Sequence, residues 1–232
     1  MTWTYVDGDG TAQSGSSTTI ATPGITVNAG DVVVVVTTYE GASTSITVSD
    51  GTSTLTADPN GQYNAAGVEP TLQFSYILSS VASGTNSVVY TATFGAARAF
   101  TNIMAIVYTP PGAASIDATS VGTGATSGTA VSSGNITTNT VDGVAFAGYA
   151  EYGQTLNSAA INSVAAEHAI TPLRSKIWSV AYSTGYTGAA TGTITSARWA
   201  CAVIAIKAAG GGGSVAGAGP RLADYRNRRV IW

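Results

Sequence analysis

Short runs rich in Thr, Val, Ile and Tyr recur along the chain, each bounded by Gly, Asn, Asp or Pro. β-branched and aromatic residues suit a pleated, half-buried surface, and such punctuation ends strands. The pattern predicts strands near 16–22, 31–39, 44–49, 53–57, 71–78, 86–94 and 100–108. A second series falls near 115–121, 128–133, 142–150, 162–167, 175–183, 190–196 and 199–207. Polar and apolar residues alternate in Leu72-Gln-Phe-Ser-Tyr76 and in Lys176-Ile-Trp-Ser-Val-Ala-Tyr182. One face of each should meet a core and the other water. Val32 to Val36 are consecutive valines, which predicts a central strand covered on both faces. Only 158–169 has a spacing that could make a helical turn or two.

The two series align with one another. Ile25-Thr-Val-Asn28 and Asp31 fall on Ile136-Thr-Thr-Asn139 and Asp142, which puts Val33 on Val144 and Glu40 on Glu151. Phe74-Ser75 falls on Trp178-Ser179, Arg98 on Arg198, and Ala105-Ile106 on Ala205-Ile206. Between the series lies Thr109-Pro-Pro-Gly112, where two prolines cannot continue a paired strand. The expected fold is all-β: a tandem, internally duplicated β-sandwich, immunoglobulin-like or jelly-roll, with an extended C-terminal tail. Residues 1–111 form the first repeat with an N-terminal arm, 112–208 the second, and 209–232 a linker and tail. Spacing alone leaves open whether the halves make two sandwiches or one.

Composition changes the picture of the surface. Charged residues are 9% of the chain, against roughly 25% in an average soluble domain. The surface is instead built from 34 Thr and 24 Ser. Residues 1–208 are mildly acidic, with Arg98, Arg174, Lys176, Arg198 and Lys207 against eleven carboxylates. Such a body lacks the phosphate-neutralising face that nucleic acid requires. The longest apolar run is eight residues, well short of the roughly 18 that span a bilayer. The first ten residues have neither a basic region nor an apolar stretch, so no secretory leader is expected and synthesis in the cytoplasm is.

Catalytic machinery is sparse. His168, beside Glu167, is the only histidine, and no serine sits in a Gly-x-Ser-x-Gly elbow. Zinc needs three or four His or Cys ligands, and the chain has two such residues. Neither a metal nor any other cofactor is expected. Cys201 lies in an apolar run and reads as a small core hydrophobe. Asp7-Gly-Asp-Gly-Thr11 resembles a fragment of a calcium loop but lacks the closing acid, so a plain turn is expected. Asp31 and Asp142 hold matching positions, which points to a shared structural role rather than to a glycosidase pair. Tyr39, Tyr63, Tyr149, Tyr152 and Tyr186 lie near strand ends. Of these, Tyr149, Tyr152 and Tyr186 are candidate glycan contacts.

The periodic pattern stops after Lys207. Residues 208–219 have the composition of a flexible linker. Residues 220–232 then carry Arg221, Tyr225, Arg226, Arg228, Arg229 and Trp232. Arg, Tyr and Trp are the residues that most often carry binding energy at interfaces, and a solvated tail gains nothing from ending in Val-Ile-Trp. These six are the candidate partner-docking residues.

Ile25-Thr-Val-Asn-Ala-Gly-Asp-Val-Val-Val-Val-Val36, Ser87-Val-Val-Tyr-Thr-Ala-Thr93 and Trp199-Ala-Cys-Ala-Val-Ile-Ala-Ile-Lys207 resemble phrases of bacteriophage virion β-sandwich proteins. Those are capsid decoration or cement, head-fibre and tail receptor-binding proteins. The resemblance spans about residues 12–208 and excludes the basic tail. It implies a non-enzymatic structural protein of the virion, assembled in the host cytoplasm. Its partners would be other virion proteins, major capsid or tail subunits, and copies of itself, with no nucleic acid or membrane. The alternative it implies is a module of a tail or head fibre that binds a host-surface glycan or receptor.

Overall fold

A computed structural model describes residues 2–41, 43–65, 68–138, 142–151, 156–172 and 174–208. Among them are eighteen strands and no helix. The first half is a β-sandwich. Its inner sheet has the order β1 (Thr4–Gln13), β9 (Thr91–Thr109), β4 (Val32–Glu40), β7 (Val68–Ile77) and β6 (Thr56–Ala65). Across the core, β2 (Ser17–Ala21) and β5 (Ile46–Ser49) flank the first residues of β9, and β3 (Ile25–Val27) pairs with β8 (Gly84–Val88). Strand β9 therefore serves both sheets, arching from one to the other over residues 95–100.

The second half repeats this order. Its inner sheet runs β10 (Ala114–Ala125), β18 (Trp199–Ala208), β12 (Gly143–Glu151), β16 (Ser175–Tyr182) and β15 (His168–Ile170). Its outer sheet runs β11 (Ala130–Thr137), β17 (Thr187–Thr193), β13 (Asn157–Ile161) and β14 (Val164–Ala165). The two inner sheets pack face to face, giving two sandwiches and four layers. Strand β6 lies beside β10, β7 beside β18, β4 beside β12, β9 beside β16 and β1 beside β15.

Three apolar cores result. One fills each sandwich and the third fills the seam between them. The valine run shows why β4 is central. Val33 and Val35 point into the first sandwich, Val32, Val34 and Val36 into the seam, and all five are fully buried. Each buried valine contributes about 1.5–3 kcal/mol relative to exposure. Gly148 of β12 faces Val36 of this run. A Cβ there would stand 2.9 Å from Leu72 Cδ1 and 3.0 Å from Val36 Cγ2, so the close approach of the sheets requires glycine.

Hydrogen bonds pin the edges of the seam. Thr38 Oγ1 and Ser175 Oγ are 2.6 Å apart, as are Tyr63 Oη and Ser120 Oγ. Arg174 pairs with Glu40 at 2.9 Å and lies over the Phe100 ring. Trp3 Nε1 donates to the Asp142 carbonyl.

Several expectations need correction. The alignment of Val33 with Val144, and of Phe74 with Trp178, is one residue out of register. Val33 faces the first sandwich core while Val144 faces the seam, and Phe74 faces the seam while Trp178 faces the second core. A one-residue slip exchanges the faces of a strand. Ala105 and Ile106 do share faces with Ala205 and Ile206. Residues 158–169 are strands rather than helix. Asn162 and Ser163, with φ of 49° and 65°, form a two-residue hairpin turn between Ile161 and Val164. The 53–57 strand begins only at Thr56, after a turn in which Thr54 bridges Ser49. The 7–11 segment is no turn but the middle of β1, paired along β9.

Candidate functional site

The inner strands give the molecule two ends. At the basal end β4 begins with Val32, opposite Tyr108. At the apical end it finishes with Glu40, beside the arch of β9. Thr4 pairs with Thr109, Ala114 with Ala208, and Gly143 with both Tyr182 and Lys207. The first and last described residues thus lie together at the basal end.

Two clefts open there. One, of about 340 Å³, is lined by Thr2, Trp3, Asp142, Gly143, Ala181, Tyr182 and Ser183. The other, of about 210 Å³, shares the last three and continues along the 161–164 hairpin to Tyr186. Tyr182 and Tyr186 meet edge to face at 5.4 Å. Tyr182 Oη donates to Asp117 Oδ2 at 2.8 Å, and Lys207 Nζ lies 3.5 Å from Asp117 Oδ1. Burial first, then the Asp117 carboxylate, pushes the Tyr186 hydroxyl up to about 12 and raises that of Tyr182 as well.

Charge is divided between the ends. Arg98, Arg174, Lys176 and Arg198 lie toward the apical end, leaving Lys207 at the basal end. The basal half carries Asp7, Asp31, Asp50, Asp117, Asp142 and Glu167. The exposed large hydrophobics among the described residues are basal too. Val81 (66% exposed) follows Ser80, whose N–H donates to the Asp31 carbonyl. Val89 (39%) precedes the first residues of β9, and Val164 (48%) borders the second cleft.

The chemistry expected to be sparse has structural occupants. The His168 ring stacks on Tyr5 at 3.8 Å and 4°, within the side of the seam. Glu167 Oε2 accepts from the Ala181 N–H. Asp58, Ser120 and Tyr63 form a hydroxyl–carboxylate chain across the seam, Ser120 donating to Asp58, but Ser120 is 1% exposed and no substrate reaches its oxygen. Among the described residues no group of three His, Cys, Asp or Glu could hold a metal ion. Asp7 ties β1 to β3 by accepting from the Thr26 N–H at 2.7 Å.

Asp31 is fully buried and accepts from the Asn28 N–H and the Thr109 hydroxyl. Asp142 is exposed with φ of 63°, so the two do not share the structural role expected of them. Cys201 is buried in the second core.

The tyrosines separate. Tyr149 is 1% exposed within the second core, so its ring face is closed to a sugar, which corrects its placement as a glycan contact. An aromatic near a strand end reads the same in sequence whether it faces in or out. Tyr39 is buried as well, its hydroxyl donating to Gln62. Tyr186 stands beside an open cleft. Tyr152 lies outside the described residues, as do Arg221, Tyr225, Arg226, Arg228, Arg229 and Trp232. The sequence reading missed Trp3 and Tyr182 as cleft walls. Trp3 stands in a stretch where the sequence predicts no strand, and nothing local ties it to Tyr182. No protein-family model matches the chain, and neither a curated protein nor a solved structure matches it.

Proposed function

We propose that the chain is a non-enzymatic structural protein of a phage particle, a capsid decoration or cement protein, joined to neighbouring virion subunits through residues 220–232. The observation that carries this reading is the position of Ala208. It leaves the body at the basal end, where exposed valines and open clefts gather. A body tethered there stands on that face and turns its apical arch outward. Its Thr- and Ser-rich, charge-poor surface and its three stacked cores suit a rigid module. The linker lets the basic segment reach a groove on a major capsid or tail subunit, or on another copy. Repetition around a shell multiplies weak contacts. The virion resemblance in the sandwich strands supports the same assignment.

The test is incorporation. Full-length protein and a variant carrying Arg226→Glu, Arg228→Glu, Arg229→Glu and Trp232→Ala are incubated with particles from the native source that lack the protein. Wild type should co-sediment and the variant should not, with identical circular dichroism. Retention of the variant would remove the tail from the assignment.

A further inference from the structure

The basal end gathers three features: a cleft lined by Trp3 and Tyr182, three exposed valines, and the exposed carboxylates Asp142 and Glu167. Gly143 of the first cleft pairs directly with Lys207. Ala208, the last described residue, therefore lies within a residue or two of the cleft wall. The chain runs on for a further 24 residues. Residues 209–219 have a Gly- and Ala-rich composition, for which a root-mean-square reach of about 18 Å follows. Beyond them come four arginines, one aspartate, a tyrosine and a tryptophan. Charge, chemistry and reach are complementary.

We propose that the basal cleft is the docking site of the chain's own segment 220–232. An aromatic ring of the segment enters between Trp3 and Tyr182. Its arginines face Asp142 and Glu167, both exposed, the latter on the strand connection beside Ala181. The linker favours this occupant over a second copy, because an 11-residue tether of Gly- and Ala-rich composition implies an effective concentration of about 1 mM. A virion subunit that takes up the tail must displace it from this cleft, so the segment is held folded back until assembly. The proposal shares its segment with the functional reading above but not its partner. It concerns the isolated protein and is tested without particles.

Hydrogen–deuterium exchange on the full chain tests it. The comparison is with a variant carrying Arg221→Glu, Arg226→Glu, Arg228→Glu and Arg229→Glu, whose body is untouched. For a segment of about 0.1 mM intrinsic affinity on that tether, exchange at Ser183 and Thr184 should be about tenfold slower in the wild type. The slowing should be independent of protein concentration and should shrink as salt screens the arginines. Equal rates in the two proteins would overturn the proposal. Slowing that grows with protein concentration would also overturn it, assigning the cleft to the tail of a second copy. Failure of the wild type to bind particles while the cis contact is intact would count against the functional reading alone.

Discussion

Gly148 and Leu72 meet across the seam at a distance that leaves no room for a side chain: a Cβ on Gly148 would stand 2.9 Å from Leu72 Cδ1. Neither partner can yield easily, because Leu72 is itself fully buried among Val36, Phe74 and their neighbours. Gly148→Val should cost about 1–3 kcal/mol by overpacking. The measurement is a urea titration, in which the midpoint falls while the slope stays constant.

The seam also sets cooperativity. Interfaces between domains of one chain are commonly polar and permit relative motion, whereas a large apolar one does not. Here Val34, Phe74, Met104 and Ile106 pack on Phe146, Ile177, Ile204 and Ile206. Both halves should therefore unfold in one transition. In a Trp3→Phe, Trp232→Phe variant, the fluorescence of Trp178 and Trp199, both in the second core, and far-ultraviolet circular dichroism, which reports on both sandwiches, should give coincident curves. Two separated transitions would show that the seam is weaker than its composition indicates.

Ser120 is the middle member of a polar chain, bonded to the Tyr63 hydroxyl on one side and donating a hydrogen bond to Asp58 on the other. Ser120→Ala removes the partner of Asp58 Oδ2 and of the half-buried Tyr63 hydroxyl, while Asp58 Oδ1 keeps the Asn60 N–H. A buried polar group left without its partner costs about 1–3 kcal/mol. Adding Tyr63→Phe should recover part of that loss, since one orphaned group is then removed. Thermal melts of the two variants make the comparison.

Alkali should attack the seam and the basal cleft. Burial pushes the hydroxyls of Tyr63, Tyr108 and Tyr186 up to about 12, above their unfolded value of 10.0. The folded state holds these protons longer than the unfolded chain does. Their contribution is fully present below pH 10 and is lost as pH rises through about 12. An ultraviolet titration should show phenolate appearing late and together with unfolding, rather than near pH 10.

Cys201 sits in the second core with its thiol pushed up by burial. It should not react with a thiol reagent in the folded protein and should react once in denaturant.

Much of this architecture was legible because period-2 patterning and burial coincide. Val32–Val36 announced a two-sided central strand, and the Pro110–Pro111 junction fell between β9 and β10. What escaped was carried by long-range contact. β1 was hidden by Gly8 and Gly10, which read as turn residues. Their missing side chains instead admit the backbone of β9 and the Ile170 side chain, within 3.3 Å of where a Cβ would stand. The register of the two halves slipped by a residue at β4 and β7, since Thr- and Val-rich strands align nearly as well in either phase. Tyr149 and Tyr186 look alike in sequence, and only the cover of the outer sheet sets Tyr149 wholly inside the second core while Tyr186 is half-buried at the cleft edge. The basal cleft joins residues 2–3, 142–143 and 181–183, which no local pattern links.

Orientation on the particle is the claim on which the functional account turns. Ala97→Cys at the apical arch and Val81→Cys at the basal end, each made in the full chain, place single accessible thiols at opposite ends, because Cys201 is buried. Both should label equally with a maleimide on the free protein. On assembled particles the account predicts that Ala97→Cys labels as before while Val81→Cys is protected. Protection of the apical site, or equal labelling of both, would contradict it.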